Sequence, residues 1–182
     1  MLVKKSLLCL IIGMMCCSVS AQKYYGQWVI GGHGSFYRGF GGGLEVEKYL
    51  GKSLSFLRLG VSYNYFEHSA SNKWKLPTNT ILANFAYFYS LEKVMPKSFL
   101  INLGGGFILG QEKFKNKDLP VGVIQTSTSK TITGITFHPQ AEVNLGKGIS
   151  TYLEPSLGYL FNTAFSRFHF RVAIGIKYYF SI

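Results

Sequence analysis

The sequence predicts an all-β fold, an eight-stranded antiparallel up-and-down β-barrel of the outer-membrane type. Three observations predict it. Hydrophobicity alternates with period two along most of the 182-residue chain, and over 168–180 the alternation is almost unbroken. That run outlasts a globular strand of ~5–6 residues and suits a tilted membrane strand of ~9–11 with its overhang. Second, the composition couples 21 Gly with 12 Tyr and 15 Phe, which favours strands over helices. Third, the connections between the alternating runs are short and long by turns, as in outer-membrane barrels. With 47% hydrophobic and 16% aromatic residues the chain is no disordered segment, and its length suits one domain. No stretch after residue 21 approaches the ~20 apolar residues of a spanning helix, which excludes a multi-pass helical protein.

The first 21 residues read as a secretory signal peptide. Lys4 and Lys5 form a basic start, an apolar run follows to Cys17, and Val19-Ser20-Ala21 supplies a small residue for cleavage. Met15 before Cys16, and Cys16 before Cys17, argue against a lipoprotein. Cleavage after Ala21 leaves 22–182 as the barrel domain and removes Cys9, Cys16 and Cys17. A disulfide, a thiolate nucleophile and a Cys-ligated metal are thereby excluded. A formal net charge of +11 fits phosphate-bearing lipid at least as well as nucleic acid in an exported chain.

The strands are expected in order. Two weaker segments, 24–36 and 41–50, come first. Over 55–66, Leu57, Leu59, Val61, Tyr63 and Tyr65 oppose Arg58, Gly60, Ser62 and Asn64. Over 80–89, Ile81, Phe85, Tyr87 and Tyr89 oppose Asn84 and Ala86. Over 99–109, Phe99, Ile101, Leu103, Phe107 and Leu109 oppose Asn102, Gly104 and Gly106. Over 134–145, Ile135, Phe137, Ala141, Val143 and Leu145 oppose Thr136, His138, Gln140, Glu142 and Asn144. Over 149–161, Leu153, Leu157, Tyr159 and Phe161 oppose Ser150, Glu154, Ser156 and Gly158. In the last run Phe168, Phe170, Val172, Ile174, Ile176, Tyr178 and Phe180 oppose His169, Arg171, Ala173, Gly175, Lys177 and Tyr179. The connections at 50–53, 91–98 and 146–148 are expected to be short and periplasmic, and those at 67–78 and 112–130 long and external.

Alternation alone would also fit a soluble barrel, so the polar face decides the orientation. It gathers Glu45, Glu47, Arg58, Glu142, Glu154, Arg171 and Lys177 among Gly, Ser, Thr and Asn. Eight strands leave an interior that side chains just fill. Small residues and complementary charges suit it, whereas a row of Phe, Tyr and Leu is expected to overfill it. The apolar face instead carries aromatics near both strand ends, with Leu59, Ile101 and Ile174 between them, as two girdles around a lipid band would.

Within that interior a charge cluster of Glu45, Arg58, Glu142, Glu154 and Arg171 is expected, the three acids pairing with the two arginines. Paired carboxylates also serve glycoside hydrolysis. No sugar enters a plugged lumen, so neutralisation of Arg58, Arg171 or Lys177 is the favoured reading of Glu142 and Glu154, and no enzyme is expected. His33, His68, His138 and His169 are too scattered for a metal, since His138 and Glu142 lie roughly 13 Å apart along a strand. Gly31-Gly32-His33-Gly34 and Gly104-Gly105-Gly106 open no helix and lack a phosphate-loop lysine. No cofactor is expected. Outside, Trp74, Lys113, Lys115 and Lys117 are candidate external-loop contacts, with solvated loops near lipid phosphates favoured over DNA binding.

The run Leu103-Gly104-Gly105-Gly106, then Gly110-Gln111-Glu112, Gly134 and Glu142, closes on Phe168-His169-Phe170 and Gly175-Ile176-Lys177-Tyr178. Over roughly 99–180 this resembles the TraO family of conjugative transposon proteins of Bacteroidetes-type bacteria, departing from it in the lysine-rich stretch 113–120. The resemblance implies an outer-membrane component of a conjugative transfer apparatus whose partners are lipid and other apparatus proteins, with no direct nucleic-acid contact. It brings no catalytic residues. The competing expectation is a general small barrel for envelope stability or adhesion. A barrel filled by side chains is in neither case the DNA channel.

Overall fold

The computed structural model describes residues 26–36, 39–50, 54–71, 74–91, 99–114, 129–163 and 167–180. The expected signal peptide lies outside them. Eight strands follow one another: β1 Trp28–Phe36, β2 Gly39–Leu50, β3 Ser55–Ser71, β4 Trp74–Ser90, β5 Phe99–Phe114, β6 Ser129–Gly146, β7 Ile149–Leu160 and β8 Phe168–Tyr179. Each pairs antiparallel with the next, and β1 closes on β8 from Val29↔Tyr179 to Phe36↔Val172. The sheet therefore has no edge, the condition for a strand structure in a medium that cannot bond its backbone. The tight turn between β6 and β7 uses left-handed backbone at Gly146, Lys147 and Gly148. The Gly146 N–H donates to Asn144 Oδ1 at 2.9 Å, which fixes the start of that turn.

Parity places the two faces as the alternation predicts. Outward stand Leu59, Val61, Ile135, Leu153 and Ile174, with Tyr63, Tyr65, Phe161 and Phe168 toward one end and Tyr87, Tyr89, Tyr178 and Phe180 toward the other. Inward and buried are Glu45, Glu47, Arg58, Glu142, Glu154 and Lys177. An apolar wall around a charged interior is the inverse of a soluble barrel.

Two expectations need correction. The connections at 67–78 and 112–130 are not long loops throughout. β3 and β4 continue as a ladder through Glu67↔Pro77, His68↔Leu76 and Ser69↔Lys75 to Ser71↔Trp74, and β5 and β6 reach Lys113↔Ser129. Beyond a lipid band neither face of a strand needs to be apolar. The ladder persists there while the period-two signal fades.

The second correction concerns the interior, which does hold large rings. Near the turn end, Val29, Tyr49, Phe56, Phe88 and Tyr179 pack together with Ala86, and toward the loop end Leu82, Ile108, Ile132 and Leu160 form a second apolar layer. Glycine makes the room. Phe88 sits opposite Gly104 and Tyr152 opposite Gly175, and a Cβ on either glycine would lie 2.5 Å from the facing ring. Between the apolar layers runs the polar one.

The β6–β7 ladder has a gap. Pairing passes from Phe137↔Leu157 to Ala141↔Leu153, and the interval holds Pro139 on β6 and Pro155 on β7, neither of which carries an N–H to donate.

Adjacent glycines test this packing. Gly104→Ala drives its methyl into the Phe88 ring and is expected to cost about 1–3 kcal/mol. Gly105→Ala points outward, 3.8 Å from the nearest carbonyl oxygen, and is expected to be neutral or slightly stabilising. Urea unfolding in lipid vesicles measures both.

Candidate functional site: a charged plug in the lumen

The polar layer is built from side chains one strand-pair apart that lean across the barrel. Lys177 of β8 is fully buried, and its ammonium has three acceptors for its three N–H groups. These are Glu47 Oε1 at 3.0 Å, Glu142 Oε2 at 3.2 Å and Gln140 Oε1 at 3.0 Å. Asn102 also donates to Gln140 Oε1, at 2.9 Å, and so orients that amide. The other side of the ammonium faces the rings of Phe56 and Tyr152, at 4.8 and 5.0 Å from their centroids.

Arg58 of β3 is the second hub. Its Nε donates to Glu47 Oε1 at 2.8 Å, its Nη1 to Glu154 Oε2, and Glu45 Oε2 lies 3.5 Å from Nε. The planar guanidinium lies over the Phe88 ring, 4.2 Å from its centroid. Phe88, seated on Gly104, is thus a floor for the cation.

Glu154 of β7 gathers donors from three strands. Besides Arg58 it accepts from Gln140 Nε2 at 2.9 Å and His138 Nδ1 at 3.1 Å, with Arg171 Nη2 at 3.5 Å. His138 then bears its hydrogen on Nδ1, and Nε2 accepts from Thr136 Oγ1 at 2.8 Å and Asn84 Nδ2 at 3.2 Å. Four carboxylates thus meet three fixed cations and two histidines, His33 Nδ1 lying 3.7 Å from Glu45 Oε2.

All five residues of the expected cluster, Glu45, Arg58, Glu142, Glu154 and Arg171, line this lumen. Of the cations expected to neutralise Glu142, the one it meets is Lys177 and not an arginine of the cluster, and it also accepts from the hydroxyl of Tyr179. Its place near the turn end sets this, since β8 brings Lys177 and Tyr179 to that height and Arg171 well above. Lys177, Glu47, Gln140 and Tyr179 are the members that strand-by-strand reasoning left outside the cluster. Of the external candidates, Trp74 opens β4 at the tip of the β3–β4 hairpin and Lys113 ends the β5–β6 pairing, exposed. Lys115 and Lys117 lie outside the described residues.

The arrangement holds little free space. Above Arg58 two voids of about 20 Å³ each share Ser62, Asn84, His138 and Arg171 in their linings. Each has room for about one water molecule. Among the described residues no group of three or more His, Cys, Asp or Glu is placed to hold a metal ion. Both carboxylates of the candidate acid pair are engaged by cations, and the void described beside Glu154 is of about 20 Å³.

Removing one hub leaves its partners charged and unneutralised. Glu154→Ala and Arg58→Ala are each expected to cost about 3–5 kcal/mol. Arg171→Ala, whose contacts are all near 3.5 Å, is expected to cost about 1 kcal/mol. Denaturant unfolding of the three variants in vesicles checks the ranking, and equal, small losses would refute an ionic plug.

No protein-family model and no curated protein matches the chain. Solved structures do. The chain is similar to a major outer membrane protein from Thermus thermophilus (TM-score 0.61, 13% identity, covering 85% of this chain and 98% of that one). It is similar to the N-terminal β-barrel domain of Pseudomonas aeruginosa OprF (TM-score 0.56, 10% identity, 87% and 100% covered). It is also similar to Ail, the attachment invasion locus protein of Yersinia pestis (TM-score 0.53, 12% identity, 86% and 100% covered). At such identities the likeness is one of fold, and that fold is the eight-stranded barrel of outer-membrane proteins.

Proposed function

We propose that this chain is a small outer-membrane barrel acting through its surfaces, in envelope stability or adhesion, and that it neither conducts solute nor catalyses a reaction. The observation that carries this reading is the lumen. An ionic layer of linked acids and bases lies between two apolar layers, and the two voids described beside it are each about 20 Å³. An apolar outer wall supports insertion in a bilayer, and the run ending at Ala21 supports export. The short turns, the start of β1 and the end of β8 then face the periplasm, with the β3–β4 and β5–β6 hairpins outside. Attachment is named for one of the similar barrels, Ail, which supports adhesion as a task this architecture can perform.

A second reading is a docking component of a conjugative transfer apparatus. The residues over 99–180 that resemble the TraO family favour it. Both readings share a closed lumen, so neither makes the barrel a path for DNA.

Two measurements separate the possibilities. The protein is expected to stay with the outer membrane through carbonate or urea washes, and to be silent in planar bilayers. Large, stable conductance steps from a monomer would overturn the closed lumen. Deletion followed by a mating assay distinguishes the readings: unchanged transfer frequency removes the docking role and leaves the general one.

A further inference from the structure

The outer wall carries a recess that the barrel fold alone does not require. β7 and β8 stay paired as far as Tyr159↔Phe168, whereas the described pairing of β1 with β8 reaches Phe36↔Val172. Between those limits β8 runs four residues, about 13 Å, beyond its last described partner on β1. At this step a groove of about 780 Å³ opens at the loop end, lined by Phe36, Phe40, Leu157, Phe168, Phe170 and Val172 of the outer wall and, at its upper margin, by Gly39, Gly158 and His169. Phe40 is 72% exposed and Phe168 75%, among the most exposed large apolar residues described. Phe36 and Phe40 meet edge to face at 5.1 Å and form the lower lip.

Below that lip the wall remains recessed. The next row outward-facing around the barrel reads Ile174, Gly34, Gly42, Tyr63, so two adjacent strands lack side chains between two large ones. A Cβ built on Gly34 meets nothing within 4 Å. The hollow lies one outward-facing row below the Phe36–Phe40 lip, so the two follow one another along β1 and β2 in the direction in which an acyl chain lies beside a barrel.

Charge at the upper rim indicates what the chain would belong to. Arg167 precedes Phe168, is exposed, and donates to the Tyr159 hydroxyl at 3.4 Å; Lys130 is exposed and donates to the Thr163 carbonyl at 3.4 Å. The carboxylate described beside them, Glu112, is buried and accepts from Thr163 Oγ1 at 3.0 Å. The rim is therefore cationic above an apolar groove. A second copy of the chain is a poor occupant, because a two-fold contact would set hollow against hollow and leave both linings without partners.

We propose that this groove is a binding site for one phosphorylated glycolipid of the outer leaflet, an acyl chain lying over Phe36, Phe40 and Gly34 with a phosphate at Arg167. The proposal rests on the outer-membrane reading above and adds a ligand to it. The probes are lipid A and phosphatidylglycerol, each added to the full protein extracted in detergent and followed by native mass spectrometry. Heat-modifiable migration of the same samples reports whether the barrel is intact.

Wild type is expected to retain one lipid A in preference to phosphatidylglycerol. Gly34→Leu fills the hollow and Leu157→Trp the groove, both from exposed positions, and each is expected to lower retention about tenfold, with migration unchanged. Arg167→Gln is expected to lower it about fivefold. Retention unaffected by all three in intact barrels would overturn the site. Equal retention of phosphatidylglycerol would overturn the glycolipid, and a dimer abolished by Gly34→Leu would replace the lipid with a second copy. A wild-type protein without heat-modifiable migration would instead overturn the barrel reading itself.

Discussion

The structure depends on two cations that have no water to return to. Lys177 and Arg58 are buried in a narrow lumen, where carboxylates, an amide oxygen and aromatic faces take the place of water around them. The same arrangement fixes the register of the sheet. A slip of one residue in β3 or β8 would turn Arg58 or Lys177 into lipid, where a midplane cation costs about 2–4 kcal/mol, and would leave Glu47, Glu142 and Glu154 uncompensated. The plug thus acts on the wall that encloses it.

Around the cations the packing inverts that of a soluble barrel without leaving out aromatic rings. Phe56 stacks on Phe88 at 4.7 Å with nearly parallel planes, and the guanidinium of Arg58 lies over Phe88 in turn. The stack fits because the neighbouring strand presents Gly104. Glycine here is a volume choice, and one small residue on one strand enables one large residue on the next. The sequence rule that aromatics belong outside an eight-stranded barrel fails at these paired positions and holds along the outer face.

That contrast also marks what could be read from residues alone. Period-two alternation located all eight strands, their parity and the inward set of charges, because a lipid-facing wall leaves no freedom at alternate positions. It did not reveal the outer halves of β3 and β4, where the ladder leaves lipid and either face can be polar. Nor did it reveal which acid meets which base. Glu142 finds Lys177 and Tyr179 because strand tilt and stagger set their heights, and neither quantity is written in a single strand. Phe88 was visible as a break in alternation, in the run Phe85-Ala86-Tyr87-Phe88-Tyr89, where both parities are apolar.

The two prolines facing each other across β6 and β7 give the charge layer a further meaning. Where Pro139 and Pro155 interrupt the backbone ladder, the connections across the seam are side chains: Gln140 and His138 of β6 both donate to Glu154 of β7. Glu154 is therefore a rivet as well as a counter-ion. Exchanging this carboxylate for an apolar residue would therefore remove a charge partner from the lumen and two side-chain links across the seam at once, so the lumen chemistry and the continuity of the wall meet in one residue.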